Sequence, residues 1–356
     1  MQKHLITSIT YRAMSVAAVI ALLGGCSASG TSPISQTAAS HQRGAYPGMP
    51  SRGGFLNLMP DRRNHKNNTH HFGSFNACPA TGPIRYASDD TNNVINIYAG
   101  KFAGQAPCGQ IAWASLNFPY GLYVKTDTHD LYVANGNDIL VFQRGATTPY
   151  NIYVDPTNQV PNDVTIAKDG TIIVNNLGQF GGPGGGSIST WIAGPHGGTF
   201  VGNFPTTNAF QGGFITIQKN GTIYFNDQDA TTLHGVLWSV KCPAGACGVQ
   251  TQIAGVSFGE PGGLGSDSAE DLLATDSEPG AADTFELPNP NPKTFPITGI
   301  VFGMAINQSD DHWFVADALH NDAAEYAYPS GNLIGTVPGN PGGNLVGIAL
   351  DPGHAR

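Results

Sequence analysis

Several signatures that would fix a chemistry are missing from this chain. No apolar run approaches the roughly 18 residues that cross a bilayer as a helix; the longest lies between Met14 and Leu23. No Cys-x-x-Cys pair is present, which argues against zinc. The glycine run from Gly181 to Gly186 lacks the Gly-Lys-Ser/Thr of a phosphate loop and reads as a flexible insertion between strands. No Gly-x-Ser-x-Gly elbow positions a nucleophile, no catalytic triad is evident, and EF-hand spacing is absent. Positive charge is also scarce, with 16 Lys and Arg against 25 Asp and Glu.

What is present is a repeat. A strand-like phrase ending in Asn or Asp closes at Asp89, Asn135, Asn176, Asp227, Asp276 and Asp317, as in Leu131-Tyr-Val-Ala-Asn135 and Trp313-Phe-Val-Ala-Asp317. A second phrase, often centred on glycine, starts at Gly121, Asp163, Gly213, Gly263, Gly303 and Gly347, at steps of 42, 50, 50, 40 and 44 residues. Polar turns and two further alternating segments complete each unit, such as Ile139-Leu-Val-Phe and Asn151-Ile-Tyr-Val. Four short strands per unit at this period predict an all-β fold, a six-bladed β-propeller with four-stranded blades. The phrase beginning at Gly347 has no partners after it, and Arg85 to Ser88, Val94 to Tyr98 and Ile111 to Ser115 have no inner strand before them. Joining these fragments closes the sixth blade from both termini and leaves no unpaired edge at the seam.

The six terminal Asn/Asp residues are expected to be structural. Short acid and amide side chains at a strand end accept turn N–H groups, and a residue repeated in every blade serves the blade.

Three domains are expected: residues 1–25, 26–82 and 83–356. Lys3 and Arg12 precede the apolar run, and Leu23-Gly24-Gly25-Cys26 resembles a bacterial lipobox. The resemblance implies a lipoprotein signal peptide, a lipid on Cys26, and residence at the cell membrane or outer membrane on the periplasmic or extracellular face. Residues 26–82 are rich in Ser, Gly, Pro, Asn and His, carry five basic residues and one acid, and read as a disordered tether. His65, His70 and His71 could ligate a transition metal, but a solvated linker is the better reading. Residues 83–356 hold 9 basic and 24 acidic residues, and so acidic a ring argues against nucleic acid. The four other cysteines are expected as disulfides, with Cys242 and Cys247 across a hairpin tip and Cys78 tying the arm to the split blade through Cys108.

Val160-Pro-Asn-Asp-Val to Asn176 resembles the regucalcin/gluconolactonase family, and Tyr120-Gly-Leu-Tyr-Val and His312-Trp-Phe-Val-Ala-Asp look like NHL-type repeats. The first likeness implies a calcium ion in the central tunnel, held by Asn162 with Asp163 beside it, and a lactone or ester hydrolase. The corresponding positions in other blades, Gly212-Gly213, Gly262-Gly263, Phe302-Gly303 and Val346-Gly347, offer no further ligands. The NHL likeness implies a propeller that binds partners. Streptogramin lyase, an enzyme of that wider group, works through histidines; His196, His234, His312 and His320 are the candidates here, and none sits in a matching motif. Eight acids from Glu260 to Glu286 could bind calcium on a loop or attract a basic partner, against a solvated blade top. Together these point to a monomeric, non-catalytic module for an envelope protein, peptide or glycan, with no certain cofactor. A calcium-dependent hydrolase is the alternative.

Overall fold

The computed structural model describes residues 78–79, 81–100, 104–179, 184–276, 281–285, 293–297 and 299–351. Cys26 with its leader, His65, His70, His71, Glu278 and Glu286 lie outside the described residues, as does nearly all of the arm.

The strands of these residues form six four-stranded antiparallel sheets. In the first, β1 (Ile84–Asp89), β2 (Val94–Ala99) and β3 (Gly109–Ile111) are joined by β24 (Leu345–Asp351). The second runs β4 (Pro119–Lys125), β5 (Asp130–Asn135), β6 (Asp138–Phe142), β7 (Asn151–Val154), and the third β8 (Gln159–Ile166), β9 (Thr171–Gln179), β10 (Gly184–Ile192), β11 (Thr199–Pro205). The fourth is β12 (Ala209–Ile217), β13 (Ile223–Asp229), β14 (Gly235–Val240), β15 (Thr251–Phe258), and the fifth β16 (Pro261–Ser266), β17 (Leu272–Asp276), β18 (Ala281–Phe285), β19 (Lys293–Pro296). The sixth is β20 (Val301–Ile306), β21 (His312–Asp317), β22 (Asp322–Ala327), β23 (Leu333–Pro338). The strands β4, β8, β12, β16, β20 and β24 contact one another in cyclic order and form the hub. The fold is a β-propeller with four-stranded antiparallel blades.

The two-residue period of a strand explains the core. In β21, Trp313 and Val315 pack with Leu273 and Val301, while Phe314 and Ala316 face the other way and pack with Tyr98 and Ile348. In β5, Leu131 and Val133 pack with Ile84 and Ile97, while Tyr132 and Ala134 pack with Val164 and Trp191. Each second strand is therefore buried on both faces, which is why its phrase reads as an almost unbroken apolar run.

Closure is a ladder between chain ends, with Ile84 opposite Asp351 and Tyr86 opposite Ala349. The fully buried Asp351 accepts from Arg144 and lies 2.5 Å from Nδ1 of His129, both from connections between strands of the second sheet. One strand departs from expectation. The segment Ile111–Ser115 is not a strand; β3 ends at Ile111, because the next residues turn, closed by the Leu116 N–H on the Trp113 carbonyl at 2.9 Å. In the glycine run, Gly184–Gly186 already belong to β10. Disulfides join Cys78 to Cys108, beside β3, and Cys242 to Cys247, across the β14–β15 connection.

Candidate functional site

In four of the six repeat phrases the terminal Asn/Asp ties its strand to the turn entering the hub strand beside it. Asp89 Oδ1 accepts from the Asn344 N–H at 3.1 Å, Asn135 Oδ1 from Asn117 at 2.6 Å, Asp276 Oδ1 from Glu260 at 3.0 Å and Asp317 Oδ1 from Ile300 at 3.1 Å. Asn176 instead donates to Ser187 Oγ and Ser189 Oγ within its own sheet. Asp227 is fully buried and accepts from Asn175 Nδ2 at 3.2 Å. Burial pushes its carboxyl up to about 7, against the opposing pull of donors from Asn175, Thr206 and the Gly213 N–H.

In four repeats the residue one place earlier reaches across to the next sheet. Ser88 Oγ donates to the Tyr120 carbonyl at 2.5 Å, Asn226 Nδ2 to Gly262 at 2.7 Å, and Asn175 Nδ2 and Thr275 Oγ1 to Phe214 and Val301, each at 3.4 Å. Each bond joins a second strand to the following hub strand through a backbone carbonyl of that strand.

The hub strands share a device as well. Every one breaks register with its neighbour at the same place, between Pro119 and Leu122, Pro161 and Asp163, Gly212 and Ile215, Pro261 and Leu264, Val301 and Met304, and Leu345 and Gly347. Such bulges re-aim the residues they contain. Glycine stands at five of these six bulges because adjacent hub backbones touch: a Cβ on Gly303 would stand 2.6 Å from Gly347 Cα, and one on Gly121 2.5 Å from Asp163 Cα. The flanking positions supply rings. Tyr120, Phe214 and Phe302, from three alternate hub strands and each no more than 1% exposed, pack with centroids 6.0, 6.2 and 6.5 Å apart. Beside them is a cavity of about 50 Å³, lined by hub glycines, aliphatic side chains and Asp163. That is room for water and far below the few hundred Å³ of a ligand site.

Asn162 and Asp163 lie in the β8 bulge, and both are buried. The Asn162 amide donates to the Gly213 carbonyl, leaving its Oδ1 buried without a hydrogen-bond partner. Asp163 accepts the Val164 N–H on Oδ1 at 2.9 Å and the Ile215 N–H on Oδ2 at 3.0 Å. A calcium ion takes six to eight oxygens. One unpartnered amide oxygen beside a carboxylate already accepting two N–H groups does not fit that need. Among the described residues, no group of three or more His, Cys, Asp or Glu could hold an ion.

The histidines do not converge. His196 sits in the turn between β10 and β11, and the exposed His234 precedes β14. His312 and His320 lie beyond opposite ends of the β21 core: His312 Nδ1 is 2.7 Å from Glu325, and His320 Nδ1 is 2.6 Å from Asp317 Oδ2. The Asp317 hydrogen bond raises the His320 pKa. The acidic stretch is spread over turns: Asp267 Oδ1 accepts the Ala269 and Asp271 N–H groups at 2.9 Å, and Glu270 accepts from Asn220.

No protein-family model and no curated protein sequence matches the chain. Solved structures do. A chain of a nidogen/laminin complex superposes with a TM-score of 0.59 at 13% identity, over 76% of this chain and 98% of that one. A functionally unknown protein from Desulfotomaculum acetoxidans gives 0.53 at 12% identity, over 77% and 99%. Virginiamycin B lyase from Staphylococcus aureus gives 0.44 at 17% identity, over 60% and 67%, too loose a match to bear on chemistry. At these identities the likeness shows the propeller fold alone.

Proposed function

We propose that this chain is an exported, lipid-anchored, six-bladed propeller that acts as a non-catalytic binding module for an envelope protein, peptide or glycan. The observation that carries the reading is the hub. Where a catalytic propeller needs an open axis with convergent polar groups, three aromatic rings fill the space and the Asp163 oxygens accept backbone N–H groups. Recognition then falls to loops that differ between sheets, such as the disulfide-closed β14–β15 connection. Two disulfides accord with an oxidising compartment, and the lipobox-like Leu23-Gly-Gly-Cys26 supports the anchor.

The orphaned Asn162 Oδ1 is the one observation favouring the calcium-dependent hydrolase. The test pairs affinity capture from envelope extracts on the folded chain with lactone-hydrolysis and melting assays in millimolar calcium. Specific capture, without hydrolysis or a calcium-dependent rise in Tm, is expected. Hydrolysis that Asn162→Ala abolishes would overturn the module reading in favour of the enzyme. Mass spectrometry of the mature N-terminus tests the lipid on Cys26 separately.

A further inference from the structure

Cations are few on this propeller and unevenly placed. Of the nine Lys and Arg in residues 83–356, three line one pocket of about 350 Å³ between the third and fourth sheets: Lys168, Lys219 and Lys241. That volume lies within the range of small-molecule sites. The only acid among its described lining residues is Asp169, in a ring where acids outnumber bases by 24 to 9.

The pocket is built from a repeated turn. Lys168-Asp169-Gly170 and Lys219-Asn220-Gly221 occupy equivalent hairpins, β8–β9 and β12–β13, with matching bonds. The Gly170 N–H donates to Ala167 and the Gly221 N–H to Gln218, both at 2.9 Å. Asp169 Oδ1 caps the Thr171 N–H at 2.9 Å and Asn220 Oδ1 the Thr222 N–H at 2.7 Å. Adjacent sheets thus each present a lysine to the same pocket. The third, Lys241, opens the Cys242–Cys247 loop, which is pinned by the disulfide, by Thr190 Oγ1 on the Gly245 carbonyl at 2.6 Å, and by Asp169 accepting the Ala244 N–H. Ile166, Ile173, Ile217 and Ile223 form the apolar wall.

Asp169 accepts backbone N–H groups and stays ionised, so it offsets one of the three lysine charges and the lining keeps an excess of positive charge. Lys219 reaches only a carbonyl, that of Ser268, at 3.0 Å. Neither Lys168 nor Lys241 forms an ion pair among the described residues. An apolar wall under two unpaired ammonium groups is complementary to an amphipathic anion, whose head would meet positive charge while its body leaves water.

We propose that this pocket binds a small organic anion, with an apolar body against the isoleucines and an anionic head between Lys168 and Lys241. The site includes the start of the disulfide-closed β14–β15 connection, but it does not depend on the binding-module reading.

The test titrates the folded chain, disulfides intact, with naphthalene-2-sulfonate and its neutral counterpart naphthalene-2-sulfonamide, following amide chemical shifts. Saturable shifts are expected at Lys168–Gly170, Lys219–Gly221 and Lys241–Cys242, with the sulfonamide roughly tenfold weaker and added salt weakening the sulfonate. Lys168→Gln or Lys241→Gln should each raise Kd about two- to fivefold, as befits exposed cations, and the pair about tenfold. Lys125→Gln, at a lysine paired with Asp127 elsewhere, should leave Kd unchanged. Equal binding of the sulfonamide, shifts outside these turns, or an unaltered Kd in the double variant would each overturn the proposal. So would retention on phosphatidylglycerol vesicles with no response to the sulfonate.

Discussion

Asp227→Asn tests whether a repeated residue that looks like a simple cap carries a stored cost. Its carboxyl is fully buried, and desolvation lifts it from an ordinary 3.8 to about 7 despite three donors. The sign follows from which state holds the proton. Between about pH 4 and 7 the folded chain keeps Asp227 protonated while the unfolded chain releases it, so stability falls as pH rises through this window and levels off above 7. At about 1.4 kcal/mol per tenfold change in proton affinity, the whole penalty is about 4 kcal/mol, of which about 2–3 kcal/mol accrues between pH 5 and 7. Asparagine has the shape of the neutral acid, keeps an acceptor for Asn175 Nδ2 and cannot ionise. The assay is urea unfolding followed by tryptophan fluorescence at pH 5, 6, 7 and 8 on both proteins. Near pH 5, where part of the penalty is already present, the variant should be ahead by about 1–2 kcal/mol, and by pH 8 by about 4 kcal/mol. Taking the difference removes groups common to both, including Asp322, whose carboxyl desolvation and the nearby Asp317 raise to about 6. A difference independent of pH would refute the reasoning, because it would mean the donors fully offset burial and Asp227 folds ionised.

Two further substitutions probe the hub and the bonds between sheets. Gly303→Ala places a Cβ 2.6–2.8 Å from backbone atoms of Gly347, Val346 and Ile348, so β20 and β24 must separate; a loss of about 3 kcal/mol or more in chemical unfolding is expected. Gly248→Ala, whose Cβ would meet only the Lys241 carbonyl at 3.6 Å, should be near neutral, and equal effects of the two would sink the close-approach argument. Asn226→Ala strips partners from the buried Phe214 N–H and Gly262 carbonyl, held at 2.6 and 2.7 Å, and should cost about 2–4 kcal/mol. A loss below about 1 kcal/mol would show that the interface between the fourth and fifth sheets rests on packing alone.

The parts of this fold that were legible in sequence are those where one residue type answers one physical demand. A strand buried on both faces must be apolar throughout, so Leu131–Ala134 and Trp313–Ala316 announce themselves, and a short acceptor must end them. Hub glycines were visible for the same reason, although the backbone contact that requires them was not. What stayed hidden depends on relations between sheets. The cross-sheet donors occupy one position but vary in kind, Ser88, Asn175, Asn226 and Thr275, and alanine stands there at 134 and 316. The three rings fall on either side of the glycine, Tyr120 and Phe302 before Gly121 and Gly303 but Phe214 after Gly213. Only the bulge in each hub strand brings them to one axis.

That axis also shows how the residues singled out by the family likeness are placed. Asn162 and Asp163 are the polar exception at the bulge, but the Gly213 carbonyl takes the Asn162 amide and the Ile215 N–H engages Asp163, which leaves only the Asn162 Oδ1 unpartnered. A ligand set needs several blades to depart from the pattern at the same height, and here one does. The Lys-Asp/Asn-Gly turn departs in two adjacent blades at equivalent hairpins, and a disulfide-bound loop brings a third lysine to the same pocket. In a fold built by repetition, a site becomes legible where neighbouring repeats share a deviation, and by that criterion the lysine pocket outranks the hub.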